Sequence, residues 1–263
     1  MDLGFAGKSV VVTGGGSNIG RFIVLAFAAE GARLTIGDID VEQAQATAGM
    51  ARERGAAAVE VVKTDVTKYD DGVALMAAAE QAHGGIDVLV SNAGWDRPAY
   101  FSDQTPEYWQ KVIAINLFGT INCTRAALDR MVPKRAGAVV CISSDAGFGE
   151  KRNAVYGAAK GGVNTFAKAM AKEYGRYGIR CNVVAPGVVL PPSRDDVGKA
   201  SLWAEQGAVF SDAQIETSRA AVPLRKLGRP QDIANAVLFF ASETMAGHVS
   251  GQIISVSGGY ATP

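Results

Sequence analysis

Cysteine is scarce in this chain. Cys123, Cys141 and Cys181 are the only three in 263 residues, and no two are spaced as metal ligands. A sparse, odd set argues against a disulfide framework or a metal centre and points to a reducing compartment, with each thiol packed as a small apolar group. Net charge is missing as well, 26 basic residues standing against 26 acidic ones. That balance leaves no electrostatic footprint for nucleic acid or an anionic membrane surface. No run approaches the roughly 18 apolar residues of a membrane span. The opening MDLGFAGKSVVVTG has no long apolar stretch behind a basic start, so no secretory signal is expected. Repeats, low-complexity tracts and Pro/Ser linkers are absent too. The expectation is one cytoplasmic domain over 1–263 with a small-molecule partner.

What the chain does contain is an alternation. Short β-branched runs (Ser9–Thr13, Arg33–Asp38, Ala58–Lys63, Asp87–Asn92, Ala138–Ser144, Ile179–Pro186, Gln252–Ser257) read as strands. Between them Ile19–Glu30, Val41–Arg54, Lys68–His83, Tyr108–Met131, Ala154–Tyr177 and Pro230–Ala241 read as helices. Continuously apolar strands separated by helices predict an α/β fold. It is a Rossmann-like, doubly wound parallel sheet of about seven strands with helices on both faces. Leu190–Val222 stands apart, with two prolines, scattered charge and weak periodicity. A long irregular segment in a compact domain suggests a substrate lid.

TGGGSNIG, Thr13–Gly20, follows the first strand and opens the first helix, the context in which helix N–H groups hold a phosphate. Gly14 is expected to make a tight turn and Gly20 to allow close helix packing. Gly15 and Gly16 are expected to keep side chains clear of a diphosphate. Asn18 stands where a glycine is usual, but asparagine tolerates the left-handed region, and its amide offers a donor to a phosphate oxygen. Asp38 ends the second strand, where a carboxylate accepts from ribose hydroxyls. It would also repel a 2′-phosphate, and no Lys or Arg stands at 37, 39 or 40. These features point to NAD rather than NADP.

YGAAK places Tyr156 and Lys160 four residues apart, on one helix face. An ammonium beside a phenol stabilises the phenolate and draws its pKa from about 10 towards working pH. Ser143 and Ser144 end the preceding strand and bring a hydroxyl to the same edge. With these stand SNAG (Ser91–Gly94), INLFG (Ile115–Gly119), TDVT (Thr64–Thr67), ISSDAG (Ile142–Gly147), APG (Ala185–Gly187), PLRKLGRPQDIA (Pro223–Ala234) and SGQIISVSGG (Ser250–Gly259). In this order the chain resembles, over nearly its whole length, the short-chain dehydrogenase/reductase family.

The resemblance implies roles. Tyr156 matches the catalytic acid/base and Lys160 the residue that tunes it and holds the nicotinamide ribose. Ser144 matches the serine on the substrate oxygen, and Asn116 the asparagine that anchors a relay water. Asp65, followed by Val66, matches the acid on the adenine amino group. Asn92, Ala93 and Gly94 match the segment under the adenosine ribose, and Pro186, Gly187, Val188 and Val189 the nicotinamide wall. Gly14, Ser17, Asn18, Ile19, Gly20 and Asp38 complete the expected NAD site. The pattern is not perfect. Ser91 replaces an asparagine, and Pro191 falls where a threonine often binds the carboxamide, leaving Ser193 as a substitute. The Ser144–Tyr156 separation of 12 is one short of the usual, which keeps Ser143 as second candidate, although Gly147 three past Ser144 favours the latter.

For the substrate, Trp95, Phe148 and Trp203 are candidates to stack on a ring. Asp96, Asp145 and Phe210 lie in the same segments, and Arg194 and Lys199 offer lid cations. The implied activity is NAD-dependent interconversion of a secondary alcohol, cyclic or aryl-alkyl, and its ketone. The NAGWD and SSDAG pieces are similar to family members that oxidise alicyclic hydroxyacyl-CoA compounds, which keeps a CoA-linked substrate open. A non-catalytic NADH sensor is the other alternative, though it need not keep Ser144, Tyr156, Lys160 and Asn116. The family implies a homotetramer, built on the Ala-rich face Gly157–Ala171, with the tail GGYATP reaching a neighbouring subunit.

Overall fold

The computed structural model describes residues 2–193, 197 and 211–262. Seven strands form one parallel sheet: β1 (Ser9–Thr13), β2 (Arg33–Asp38), β3 (Ala58–Lys63), β4 (Val88–Ser91), β5 (Gly137–Ile142), β6 (Ile179–Pro186) and β7 (Ile253–Val256). Their order is β3-β2-β1-β4-β5-β6-β7. The chain first winds outward from β1, then returns past it to β4. The sheet therefore has a switch point between β1 and β4, where ligands sit in such folds.

Side chains alternate between two cores, as the period of two along a strand requires. Val10, Val12, Val88, Val90, Val140, Ile142 and Val184 face one side. There they pack with Ile23 and Phe27 of α1 (Asn18–Ala29), Ala44 and Ala48 of α2 (Val41–Glu53), and Ile233, Val237 and Phe240 near the C-terminus. Val11, Leu89, Val139, Cys141, Cys181 and Val183 face the other side. Their partners include Leu75 and Met76 of α3 (Tyr69–His83), with Leu128, Met131, Val163 and Ala167 from helices described next. Both faces are covered, which explains why the strands are apolar throughout. All three cysteines are buried and free.

Two helical expectations change. The span Tyr108–Met131 is not one α-helix. Pro106–Ile113 (α4) starts under a Thr105 cap, Ala114–Phe118 forms a π turn, and Gly119–Lys134 (α5) continues. A π turn of this kind marks functional sites in many helices, and Asn116 sits in its middle. The long helix α6 (Ala154–Tyr174) ends in a 3-10 turn at Gly175–Tyr177. Within the segment expected to be irregular, Asp212–Ala221 forms a helix, α7. Its capping box, Ser211 with Gln214, was readable as a helix start. Helix α8 (Pro230–Ala241) and the short α9 (Glu243–Ala246) complete the fold. Among the described residues no helix is long and apolar enough to cross a membrane.

Candidate active site

The carboxyl ends of the strands open into a cleft of about 850 Å³, within the usual range for small-molecule sites. Gly14 and Ser17–Gly20 form one wall. Gly14 turns with φ +64°, and a Cβ there would lie 2.9 Å from Ala93 Cα. A Cβ on Gly20 would lie 1.9 Å from the Gly14 carbonyl oxygen, so only hydrogen fits between helix and loop. Asn18 adopts φ +41°, the left-handed path that asparagine tolerates. Its carboxamide oxygen is buried without a partner, and Ser17 makes no side-chain cap to α1.

Gly15 and Gly16 depart from expectation. A Cβ on Gly15 would press on Ile36 and Val24 at 2.9 and 3.0 Å, and one on Gly16 on Asp38 Oδ2 at 2.9 Å. Neither residue lines the cleft. They are small so that the loop can pack on β2, α1 and α2, not to clear space for a ligand. Arg21, buried against this loop, donates to the Gly16 carbonyl (2.9 Å), Gln43 Oε1 (2.7 Å) and Thr47 Oγ1 (3.1 Å). Sequence reasoning missed it, because an arginine one past Gly20 reads as a solvated helix residue. The contacts predict that Gly20→Ala costs about 2–3 kcal/mol through overpacking, lowering Tm by about 5 °C or more. Gly49→Ala in α2, where a Cβ meets nothing within 4 Å, should instead be neutral or stabilising by up to about 1 kcal/mol. Thermal melts of the two variants check the contrast.

Other strand ends hold the cleft together. Asn92 donates to the Thr13 and Gly14 carbonyls at 3.0 and 2.9 Å, and Thr13 Oγ1 accepts from the Asn92 and Ala93 amides. Asp38 Oδ2 accepts from the Gly16 amide (2.8 Å) and Oδ1 from the Asp40 amide (2.9 Å). Burial raises its pKa, against these donors. Asp65 Oδ1 accepts from the Thr67 hydroxyl at 2.7 Å, which lowers its pKa. Ile19, Val66, Gly94, Pro186, Gly187, Val188 and Val189 all line the cleft.

Where β5 ends, the two serines separate. Ser143 Oγ is buried and donates to the Lys160 carbonyl at 3.0 Å, a structural tie to α6. Ser144 faces the cleft beside Tyr156 and accepts from the Ala146 amide (3.2 Å). The Asp145–Phe148 turn can sit close enough because a Cβ on Gly157 would lie 2.6 Å from the Ala146 carbonyl oxygen. Lys160 is buried, donates to the Ile142 carbonyl (2.8 Å), and holds Nζ 5.7 Å from the Tyr156 ring centre. Burial pulls its pKa down to about 8.

The expected acidification of Tyr156 does not hold in this structure. Burial first, then the charge of Asp96, push its phenol well above the ordinary tyrosine range. Asp96 is the group that spacing did not reveal. Buried among Tyr108 and Asn153, it accepts from both at 2.6 Å. The phenol is held protonated.

The Asn116 carboxamide donates to the Trp95 and Val112 carbonyls (2.7 and 2.9 Å) and accepts from the Trp95 amide (3.2 Å). Both its N–H bonds are spent, so a water held by Asn116 must donate to one of its oxygens. Trp95 lines the cleft, but Lys111 Nζ lies 3.7 Å over its ring, so one indole face is already taken. Phe148 is 41% exposed and does not line the cleft, against expectation; its turn points the ring outward. Trp203, Phe210, Arg194 and Lys199 lie outside the described residues. Glu150, Asn153, Thr217, Ser218 and Tyr260 line the cleft unforeseen. Tyr260 donates to Glu150 Oε2 of its own chain at 2.7 Å.

The family model described as Enoyl-(Acyl carrier protein) reductase matches residues 14–261. The chain belongs to the short-chain dehydrogenase/reductases. Among curated relatives, cis-4-hydroxycyclohexanecarboxylate dehydrogenase of Sinomonas cyclohexanicum is 38% identical over 262 residues, with 99% of each chain covered. The (2S)-[(R)-hydroxy(phenyl)methyl]succinyl-CoA dehydrogenase subunit BbsD of Thauera aromatica is 35% identical, with 98% of each covered. The crystal structure of levodione reductase superposes with a TM-score of 0.87 at 30% identity, covering 97% of this chain and 98% of that one. Short-chain dehydrogenases use nicotinamide cofactors. The residues present fit such a dinucleotide: the uncapped start of α1 offers backbone N–H donors to an anionic diphosphate, and the buried Asn18 oxygen can accept from a hydroxyl or amide donor.

Proposed function

We propose that the protein is an NAD-dependent dehydrogenase interconverting a secondary alcohol, cyclic or aryl-alkyl, and its ketone. The observation that carries this reading is the convergence of Ser144, Tyr156 and Lys160 on one corner of the cleft. A nicotinamide dinucleotide, when bound, supplies the hydride acceptor or donor and, oxidised, a positive ring charge. Gly14, Ser17, Asn18, Ile19 and Gly20 would hold its diphosphate and Asp38 its adenosine ribose. Asp65, Val66, Asn92, Ala93 and Gly94 would hold the adenosine, and Pro186–Val189 would back the nicotinamide.

The protein's own part is proton transfer and position. Tyr156, protonated in the free protein, gives its proton to a carbonyl oxygen in reduction; in oxidation its phenolate takes one from a hydroxyl. Ser144 donates to the same oxygen and steadies its developing charge. Lys160, paired with no carboxylate among the described residues, places its ammonium beside the phenol. Asn116 positions the Trp95 turn through two hydrogen bonds to the Trp95 peptide and is itself held by a third to the Val112 carbonyl. A panel of cyclic, aryl-alkyl and acyl-CoA secondary alcohols, followed by the absorbance of NADH, tests the reading. Formation of NADH from at least one alcohol is the expected result, and none from any would refute it. The sensor alternative predicts NADH binding with no turnover.

A homotetramer in a reducing cytoplasm completes the proposal. The π turn packs on α6, with Leu117 against Gly162, and leaves Phe118 54% exposed, an apolar surface suited to a subunit contact. Light scattering should return four times the 27.4 kDa of one chain; a monomer would refute it.

A further inference from the structure

One carboxylate in the corner of Ser144 has no part in the proton path above. Asp145 follows Ser144, opens the Asp145–Phe148 turn and lines the cleft. Its Oδ1 accepts from Ser144 Oγ across 3.3 Å, long for a hydroxyl donor. Its Oδ2 faces the end of β6, where a Cβ on Gly187 would stand 3.2 Å away. The titratable groups facing it are Glu150 on the following loop, Tyr156 on α6 and Tyr260 on the C-terminal tail. Half-buried, it makes no ion pair among the described residues, which leaves its charge open to a donor from the cleft.

A serine hydroxyl carries one proton. Two oxygens compete for that of Ser144: Asp145 Oδ1 and the reacting oxygen of the substrate. While Asp145 holds it, the reacting oxygen goes without. Another donor must satisfy Asp145 before Ser144 turns to the substrate. A hydroxyl on the neighbouring carbon is such a donor, because oxygens on adjacent carbons lie side by side, as Ser144 Oγ and Asp145 Oδ1 do.

We propose that Asp145 is a specificity-determining residue, selecting substrates that carry a hydroxyl on the carbon next to the reacting carbinol. These are vicinal diols of rings in oxidation and α-hydroxyketones in reduction. The inference rests on the dehydrogenase reading. In oxidation the carbinol C–H bond breaks and its electron pair leaves as hydride to the oxidised nicotinamide. The carbinol proton passes to the Tyr156 phenolate, and the second hydroxyl, unchanged, donates to Asp145. The products are a hydroxyketone, the reduced nicotinamide and one proton. A thioester or carboxylate in that place offers Asp145 only acceptors, so the CoA-linked alternative is disfavoured.

The test compares kcat/KM for cis-1,2-cyclohexanediol and cyclohexanol in wild type, Asp145→Ala and Asp145→Asn. A hydrogen bond to a charged group is worth about tenfold or more, and the wild type should favour the diol by that factor. In Asp145→Ala the ratio should fall to near one, with diol oxidation slowed and cyclohexanol oxidation raised as Ser144 is freed. Asp145→Asn keeps an acceptor and should restore part of the preference. A folding defect would lower both substrates together and leave the ratio intact. Burial, with the Glu150 charge, pushes the Asp145 carboxyl up to about 6. The wild-type preference should therefore fall as pH drops through about 6, because a neutral carboxyl is a weaker acceptor. Calorimetry on the NADH-loaded protein supplies a readout without turnover: the diol should bind more weakly to Asp145→Ala. Equal use of both alcohols by wild type, a ratio untouched by Asp145→Ala, or turnover confined to alcohols lacking the neighbouring hydroxyl overturns the inference alone. No NADH from any alcohol overturns the dehydrogenase reading with it.

Discussion

Tyr156→Phe is expected to lower kcat by about 10³-fold, near the middle of the range for losing a general acid–base. The substitution removes one oxygen and keeps the ring, so the packing around α6 and the affinity for NADH should be largely intact. The two effects together carry the argument. A variant that lost NADH affinity in step with kcat would report a damaged cleft, and one that turned over at a near-normal rate would remove the phenol from the chemistry. The pH profile gives the sign. Burial and Asp96 hold the phenol protonated, the form needed to donate to a ketone. Reduction should fall as pH rises through the alkaline range, and oxidation, which needs the phenolate, should climb. Asp96→Asn removes one of the charges that oppose the phenolate and should move the oxidation profile to lower pH. Both shifts are read from kcat against pH.

The direction of that phenol's shift was hidden from the sequence, and the reason is physical. Tyr156 and Lys160 are four residues apart, so their proximity is a property of the helix alone. Asp96 reaches the same corner from 60 positions upstream, through bonds to Tyr108 and Asn153 that no spacing encodes. The same division runs through the rest of the molecule. The seven strands were legible because each is buried on both faces and so is apolar throughout. Asn18 was legible because a left-handed residue at a helix start leaves few side-chain choices. Gly15 and Gly16 were misread, since a missing Cβ does not say on which side space is needed, and the crowding comes from β2, α1 and α2. The π turn at Asn116 follows from its bonds to the Trp95 peptide, a tertiary contact imposed on an ordinary helical pattern. Phe148 looked like a pocket aromatic by position, but its turn directs the ring to solvent.

Asp38→Ser is expected to shift the ratio of kcat/KM for NAD over NADP by about 100-fold towards NADP. Two contributions add. The wild-type carboxylate would accept from ribose hydroxyls, and losing a charged acceptor costs about 1.5–3 kcal/mol, or about tenfold or more in NAD use. The same charge would repel a 2′-phosphate, so its removal raises NADP use. No cation in Gly37, Ile39, Asp40 or Gln43, which line the cleft around it, offsets that repulsion. Asp38 also holds the Gly16 and Asp40 amides, so the variant loosens the loop and weakens both cofactors. The ratio separates the effects, because a loosened loop lowers NAD and NADP use alike, whereas discrimination moves them in opposite directions. Asp38→Asn, which keeps an acceptor without the charge, should fall between wild type and serine. A ratio unchanged in Asp38→Ser, measured with one alcohol at saturating concentration, would assign discrimination to another group.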